Sequence, residues 1–491
     1  MRNFILKHKY EIALSIFVFI YILYFTLASF LRYDNFYTGR FDLGNMDQAV
    51  WNTINGRFFQ MTDPNGTDII SRLSFHADFI LVLISPLYLI WESPKMLLLL
   101  QSVVLGLGAI FVYLISKNLL KNKNISLIFA FIFLINPAVG YTNLYDFHPV
   151  TLGTTFLLGS FYFLLKRKYF IFILFGILAG LTKEQVWSTV ALLGITISLR
   201  EIVENKFKLN TLSKNQLGNI LIGVFVFVIS ISLFYYLIWQ AIPNARGGNH
   251  FALEYYSEFG ASASDILKNI TLSPLKTLSI MFQREQIGYL TQLFSPLGFL
   301  PLIFPFALIY AASDLGINLL SSNPQLHQIY YQYSSAITPF LFIASIYSVY
   351  FLRKFFPKIS IGIISIYLII TALISAYFIG PLPISKNPNI DMFTKQLSSA
   401  SEIERFLSNI PKEKSVAASN NLGSHLSRRK DIFIIPVGLE SADYILFLLN
   451  DWSAQPSLEA QKEMAKSLEK NADYVLVYKD GDFIAFAKRK N

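Results

Sequence analysis

Long apolar runs recur through this 491-residue chain, and they constrain its fold more than any other feature. A helix needs about 20 mostly apolar residues to cross the hydrocarbon core of a bilayer. Hydrophobic residues make up 54% of the chain and charged residues only 15%, whereas about a quarter of an ordinary soluble domain is charged. The first run, residues 12–31, is longer than the apolar core of a signal peptide and predicts an uncleaved span. We therefore expect a polytopic α-helical membrane protein.

Lysine and arginine clusters orient these runs. Basic loops tend to stay in the cytoplasm, and Arg2, Lys7 and Lys9 precede the first run. We expect a multi-pass plasma-membrane protein with a cytoplasmic N-terminus. Its net charge of +10 then serves topology and attraction to lipid, not nucleic-acid binding. About eleven spans are predicted: residues 12–31, 96–115, 125–139, 151–165, 169–182, 186–199, 220–242, two within 287–320, 335–352 and 359–379.

The predicted external loop 32–94 contains a shorter apolar run, residues 79–91. That run has about half the length of a span, so it is expected to lie in the interface or to re-enter the membrane. The stretch 287–320 is too long for one span, and Pro301 and Pro305 mark a turn between two short ones. Residues 1–380 thus form the predicted transmembrane domain.

The pattern changes after residue 380, where Gly, Pro, Leu and Pro form a stiff linker. Residues 381–491 predict a small α/β domain on the external side. Its hairpin turn is marked by Asp480 and Gly481. The expected strands are residues 415–419, 431–435, 444–448, 474–478 and 483–487, and the expected helices are 400–409 and 458–470.

Asp42 and Asp47 stand out in the first external loop. Apolar residues from Leu43 to Ile54 follow helical spacing, which predicts a helix lying along the membrane surface. Asp42 stands where an N-cap belongs, and capping alone is its ordinary role. Asp47 interrupts the apolar stripe, and we expect it to face a polar cavity, since facing lipid would be costly.

Two histidine–aspartate pairs have the spacing i, i+2. In extended chain the side chains of His76 and Asp78 would point the same way, as would those of Asp146 and His148. Such a pair can act as an oriented base, a metal ligand or a phosphate contact. Alternatively, each pair only starts the next helix. A divalent metal ion held by Asp47, His76 and Asp78 is left open, and no cofactor is specified.

Lys183 and Glu184 occupy the tip of a predicted external hairpin. A lysine there either snorkels to the interface or supplies a point charge for a phosphate. Asp314 lies inside an apolar run, where an ionisable residue is a functional candidate or a structural partner of another helix. The chain has no cysteine, which excludes disulfides and thiolate chemistry. It also lacks Walker, dinucleotide-binding and HExxH motifs, which argues against an ATP-driven pump or a zinc protease.

Three segments resemble the DUF2079 group of uncharacterised membrane proteins: RFDLGNMDQAVWNTINGRFF, SFHADFILVLISPLYLIW and INPAVGYTNLYDFHP. The resemblance continues through SPLGFLPLIFPFAL, YYQYSSAITPF and the tail VAASNNLGSHLSRRKDIFIIP, so it spans most of the chain. That group is similar to the GT-C glycosyltransferases, polytopic enzymes that use polyprenyl-phosphate-linked sugars.

The resemblance implies an inverting membrane glycosyltransferase of GT-C fold. It would move a sugar from a polyprenyl-phosphate donor to an external lipid, glycan or protein acceptor. Asp42 or Asp47 would be the catalytic general base, although four residues separate them here and many relatives have adjacent acids. Substrate or lipid-phosphate contacts are expected from His76, Asp146, His148, Lys183, Glu184, Arg246 and Tyr333.

Two other functions remain open on the sequence. A non-catalytic lipid or sugar transporter or flippase would need charges deep inside the spans, and apart from Asp314 the long runs have almost none. An envelope-polymer assembly protein would depend on its C-terminal domain and not on Asp42.

Overall fold

The computed structural model describes residues 6–451 and 453–489, so Arg2 of the predicted basic N-terminus lies outside the described residues. The protein is mostly helical (66%). Five helices in the described ranges are long and apolar enough to cross a bilayer. They are Lys9–Asp34, Pro94–Leu120, Val186–Glu204, Lys214–Arg246 and Ile361–Ile379.

Further apolar helices fall short of that length or composition. Lys123–Leu134 and Pro137–Leu144 would form a sixth crossing as one span bent by 40°. Pro149–Leu165 and Tyr169–Gly180 are shorter, and Thr338–Phe355 ends with Arg353 and Lys354 in its last turn. The predicted first span agrees with a candidate span, whereas the predicted count of about eleven is not confirmed.

The predicted pair of short spans in residues 287–320 is wrong. The stretch holds parts of two short α-helices, Arg284–Phe294 and Ala312–Leu319, joined by irregular chain. Proline removes a backbone donor and clashes with the preceding turn, so an α-helix cannot continue through Pro296, Pro301 and Pro305. The intervening turns are 3₁₀ helices, Ser295–Leu297, Leu300–Leu302 and Pro305–Ala311.

Small residues allow the long helices to approach closely. Val186–Glu204 packs along Lys214–Tyr236, where a Cβ on Gly223 would lie 2.4 Å from the hydroxyl of Ser198. Close backbone approach of this kind is typical of helix pairs in membranes. Lys9–Asp34 and Pro149–Leu165 both pack against the central Pro94–Leu120 helix.

Short elements connect the long helices at the end of the molecule that carries the candidate site. The predicted interfacial segment 79–91 forms the helix Ile80–Ile84 and the 3₁₀ helix Ser85–Leu89. Strands β1 (Gln60–Thr62) and β2 (Ile69–Ser71) pair antiparallel. The other short helices are Asn45–Ile54, Ile242–Arg246, Ala263–Leu272, Pro274–Met281 and Asp391–Thr394.

The C-terminal part forms a five-stranded sheet in the order β4-β3-β5-β7-β6. Parallel pairing joins β3 to β4 and β5, and antiparallel pairing joins β7 to β5 and β6. The predicted strands and the hairpin turn at Gly481 are confirmed. The strands are β3 (Val416–Ala418), β4 (Ile432–Ile434), β5 (Tyr444–Leu448), β6 (Tyr474–Asp480) and β7 (Phe483–Lys488), and the helices are Ala400–Ser408, Asn420–Leu426 and Leu458–Glu469.

Candidate functional site

A cavity of about 560 Å³ lies where the loop after the first span meets residues 182–185, 250–270 and 312–333. That volume is typical of ligand sites. Most of its accessible lining is apolar, and several titratable side chains also line it. Its apolar residues include Phe234, Ile238, Trp239, Leu253, Ile266 and Leu267, and its titratable residues include Asp42, Arg72, His76, Asp78, His148, Lys183, Glu184, His250 and Asp314.

Asp42 reaches this cavity from a π-helical turn, Arg40–Gly44, that precedes the α-helix Asn45–Ile54. The expected N-cap role of Asp42 is wrong, because helical structure already begins at Arg40 and the residue before it, Gly39, is extended. The carboxylate instead accepts a hydrogen bond from the Tyr145 hydroxyl at 2.9 Å. About 30% of the Asp42 side chain is exposed, so one side of it remains open to the cavity.

His148 completes a hydrogen-bonded group around Asp42. Its Nε2 lies 3.1 Å from Asp42 Oδ1, and its Nδ1 donates to the carbonyl oxygen of Asp146 at 3.0 Å. That carbonyl can only accept, so it orients the ring with Nε2 toward Asp42. Burial raises the pKa of Asp42, but the bonds from His148 and Tyr145 outweigh it, and the net effect lowers that pKa. Asp42 is therefore a charged acceptor at neutral pH.

The side-chain carboxylate of Asp146 contacts a different group from the one that its backbone carbonyl contacts. Asp146 Oδ2 accepts a hydrogen bond from the backbone N–H of Gly39 at 2.8 Å. Burial, followed by the neighbouring Asp42 charge, raises the pKa of Asp146 to about 6. Asp146 thus braces the start of the Asp42 turn, and it is absent from the residues that line the cavity.

Asp47 does not face the cavity, contrary to the expectation from the sequence. Its side chain is fully buried. It accepts hydrogen bonds from the Tyr88 hydroxyl and from the Ser427 hydroxyl at 2.6 Å. Burial raises the pKa of Asp47, although Arg428 and these bonds oppose the shift. The C-terminal domain covers this carboxylate, which explains why Asp47 can interrupt the apolar stripe without meeting lipid.

The C-terminal domain also holds the turn that carries Asp42. Asn420 Oδ1 accepts hydrogen bonds from the backbone N–H groups of Arg40 at 2.9 Å and Phe41 at 3.2 Å. Close contact is possible only because residue 423 is glycine, since a Cβ there would lie 2.2 Å from Arg40 Cβ. Sequence reasoning missed the Asn420–Leu426 helix. Ser419 followed by two asparagines is the helix-start signal that could have revealed it.

Three side chains from separate segments converge at another corner of the cavity. His76 Nδ1 lies 2.9 Å from Glu184 Oε1, and His250 Nε2 lies 3.7 Å from the same oxygen. One ligand atom from each lies within 4.8 Å of the others. Burial, opposed by Glu184, lowers the pKa of His76 to about 4, so this imidazole is neutral. His250 was not predicted as a site residue, since a single histidine in a long polar segment gives little signal.

The metal set left open on the sequence, Asp47, His76 and Asp78, is not brought together. Asp47 is held by Tyr88 and Ser427. Asp78 pairs with Arg72, whose guanidinium contacts both carboxylate oxygens. Of the three, only His76 belongs to the cluster that could hold a metal ion.

The remaining predicted residues separate into two groups. Lys183 and Tyr333 both line the cavity, with the ammonium 5.7 Å from the ring centre, and Lys183 has no ion-pair partner among residues 6–451 and 453–489. Asp314 also lines it, with one buried oxygen that lacks a hydrogen bond. Arg246 instead lies over the rings of Phe75 and Phe251 and is absent from the lining.

Comparison with known proteins places the chain in a family. No curated protein sequence matches it. A solved structure with a similar course is the archaeal oligosaccharyltransferase AglB from Archaeoglobus fulgidus, in complex with an inhibitory peptide and a dolichol-phosphate. Its TM-score is 0.38 and its identity 11%, over 99% of this chain and 75% of that one. The family described as "Predicted membrane protein (DUF2079)" matches residues 32–483. The chain therefore belongs to the DUF2079 family of predicted membrane proteins.

Proposed function

We propose that the protein is a membrane glycosyltransferase that moves a sugar from a polyprenyl-phosphate donor to an acceptor on the extracytoplasmic face. The observation that carries this proposal is the cavity itself. It combines a mostly apolar lining with an ionised carboxylate, Asp42, which His148 and Tyr145 hold. A substrate with a lipid chain and a polar reacting head matches both parts. The resemblance of the family's motifs to GT-C enzymes supports the same reaction class.

In this mechanism Asp42 is the general base. It takes the proton of an acceptor hydroxyl as that oxygen attacks the anomeric carbon, and the bond from that carbon to the donor phosphate breaks. A base must lie within hydrogen-bond reach of the proton that it takes, and the open side of Asp42 satisfies this for a substrate in the cavity. His148 and Tyr145 orient the carboxylate.

Negative charge develops on the departing lipid phosphate and needs cationic stabilisation. Lys183 is the cavity cation without an ion-pair partner in the described ranges, so we assign the phosphate to its corner. Tyr333 lies beside it and would shape the space for the sugar. Asp47, which lies away from the cavity, is assigned a positioning role instead of the base role.

The test uses the full-length protein in liposomes with a panel of radiolabelled polyprenyl-phosphate sugars. Two readouts are followed: transfer of label to lipid and protein acceptors from the source membranes, and slow hydrolysis of the donor, which needs no added acceptor. We expect wild type to react with one donor class and Asp42→Asn to lose both reactions.

Asp34→Asn is the matched control, because Asp34 belongs to the same region but forms a surface ion pair with Lys95. It should retain transfer and hydrolysis. Folded wild-type protein that reacts with no donor would contradict the proposal and favour the transporter or the assembly function.

A further inference from the structure

We propose that His76, Glu184 and His250 bind a divalent transition-metal ion of the Zn²⁺ class. The three residues come from three distant parts of the chain and meet at one corner of the cavity. Their ligand atoms lie within 4.8 Å of one another. An ion about 2.1 Å from each ligand needs pairwise separations of roughly 3 to 4 Å, so modest side-chain movement closes the site.

The ligand types select the metal. Two imidazoles and one carboxylate suit Zn²⁺ and its neighbours in the first transition row, whereas Mg²⁺ and Ca²⁺ prefer sets made of oxygen atoms. Three protein ligands also leave coordination positions free, as in catalytic zinc sites and unlike four-ligand structural ones. Because all three residues line the cavity, those free positions are accessible from it.

Neighbouring groups hold the ligands in place. Glu184 Oε2 accepts a hydrogen bond from the backbone N–H of Ala77 at 3.0 Å, which leaves Oε1 directed at the two imidazoles. The Phe251 ring packs against both histidine rings, with centroids 5.4 Å from His76 and 5.0 Å from His250. Such outer contacts orient metal ligands.

Two existing hydrogen bonds must change on binding. A metal that takes His76 Nδ1 and Glu184 Oε1 as ligands replaces the bond between these two atoms. His250 Nδ1 accepts from the backbone N–H of Ala252 at 3.2 Å. A metal on Nε2 places the ring proton on Nδ1, so the Ala252 N–H loses this acceptor. Metal binding is therefore coupled to a local rearrangement at the start of the 3₁₀ helix Phe251–Tyr256.

The charges around the cavity give an independent reason for a cation. Among the described residues, its lining includes four carboxylates but only two side chains that are permanently cationic, Arg72 and Lys183. Arg72 is committed to Asp78, and Asp314 keeps an oxygen without a hydrogen bond. A phosphate would meet excess negative charge there, and a bound divalent ion reverses the local balance.

The role of the ion rests on the proposed function. If the donor is a lipid phosphate, its oxygen would take a free coordination position beside Lys183. The ion would then bind the leaving group, opposite in role to the Asp42 base. Metal binding itself is measured without donor or acceptor, so its failure and the failure of the glycosyltransferase proposal are distinguishable.

The first experiment measures metal content. Purified full-length protein in nanodiscs is stripped with a chelator, reloaded with Zn²⁺ and washed, and bound metal is counted by mass spectrometry. We expect one ion per chain for wild type. His76→Ala, Glu184→Gln and His250→Ala should each weaken Zn²⁺ binding by more than about 100-fold, since losing even an outer-shell partner costs 10–100-fold.

His148→Ala is the matched control. His148 also lines the cavity and pairs with a carboxylate, but it belongs to the Asp42 group. It should keep the ion. Loss of metal in His148→Ala with retention in His250→Ala would overturn the assignment, as would less than a tenth of an ion per folded wild-type chain.

A second variant tests the site by a gain of metal binding instead of a loss. The chain has no cysteine, so His250→Cys introduces a single thiol at the proposed ligand position. Thiolates favour soft metals, and we expect Cd²⁺ to bind and to slow maleimide labelling of that thiol at least tenfold. A labelling rate that Cd²⁺ does not change in the folded protein would contradict metal coordination at residue 250.

Discussion

The segment that follows the first span presents one carboxylate to the cavity and another to the C-terminal domain. Asp42, in the π-helical turn, has hydrogen bonds on one side and open space on the other. Asp47, one turn later, is fully buried, and Tyr88 and Ser427 occupy both of its oxygens. A base must lie within hydrogen-bond reach of its substrate, and of these two carboxylates only Asp42 lines the cavity.

The two ends of the segment from Asp42 to Asp47 therefore have different roles. Asp42 lies in the π-helical turn and Asp47 in the first turn of the α-helix that follows, and their carboxylates meet different partners. The cavity end holds the reacting group. The other end attaches the segment to a domain nearly 400 residues later, through partners such as Ser427 that are 380 positions away in sequence.

Replacing Asp42 gives the largest expected effect. Asp42→Asn keeps an acceptor for Tyr145 but cannot take a proton, so transfer should fall by about 100- to 10,000-fold. The free energy of unfolding should change by only about 1 kcal/mol, the usual net contribution of one hydrogen bond. Both quantities are measured on one preparation, by donor turnover and by thermal unfolding.

Replacing Asp47 should instead lower stability more than turnover. Asp47→Asn removes a charge that accepts two hydrogen bonds in a buried site near Arg40 and Arg428, at a cost of about 2–3 kcal/mol. Limited proteolysis should release the C-terminal domain more readily, while turnover well below the unfolding temperature stays within about tenfold of wild type. Abolished turnover with unchanged unfolding would return the base role to Asp47.

Asn420 tests whether the C-terminal domain positions Asp42. Asn420→Ala removes the acceptor for two N–H groups of the Asp42 turn, a capping loss of about 1 kcal/mol. We expect turnover to fall about tenfold through misplacement of the base. Asn420→Asp retains an acceptor oxygen and should restore turnover, which a general loss of stability would not allow.

Asn421→Ala is the matched control for Asn420. Its amide donates to the carbonyl oxygen of Leu448 and to Asn450 inside the sheet domain, and it has no hydrogen bond to the Asp42 turn among the described residues. It should lower domain stability without lowering turnover at the same temperature. Equal losses of turnover in both variants would contradict a positioning role for Asn420.

Local patterns in the sequence predicted the elements well. The apolar run 12–31 lies within the helix Lys9–Asp34, and Asp480 and Gly481 lie at the β6–β7 hairpin. These features depend on residues close in sequence: apolar length in one case and turn chemistry in the other. Asp42 and His148, which the family resemblance implies as site residues, lie 3.1 Å apart.

Long-range contacts account for what the sequence did not reveal. The interruption of the apolar stripe by Asp47 correctly indicated that this side chain does not face lipid. The same interruption is expected whether the carboxylate faces a polar cavity or a packed domain, so the sequence could not separate the two. Glu184 was predicted, yet its partnership with His76 and His250 joins positions more than 60 residues apart and follows no spacing rule. The prolines of 287–320 were interpreted as one turn, whereas each interrupts the α-helix.

The effect expected from Asp146 is a pH dependence of stability. Its pKa is raised to about 6 by burial and then by Asp42, against an ordinary value of 3.8. The folded state therefore holds a proton that the unfolded state releases, and stability falls as pH rises from about 4 through about 6.

Asp146→Asn keeps an acceptor for the backbone N–H of Gly39 and removes this loss of stability. Above pH 6 the free energy of unfolding of the variant should exceed that of wild type by at most about 3 kcal/mol, at about 1.4 kcal/mol per pKa unit, and the two proteins should converge near pH 4. A wild-type profile that is flat between pH 4 and 6, measured by thermal unfolding, would mean that water or a bound cation relieves the repulsion between the two carboxylates. The surroundings of Asp42 would then be more accessible to solvent than its contacts indicate. The difference in environment between Asp42 and the buried Asp47 would still hold, but it would involve Asp146 less.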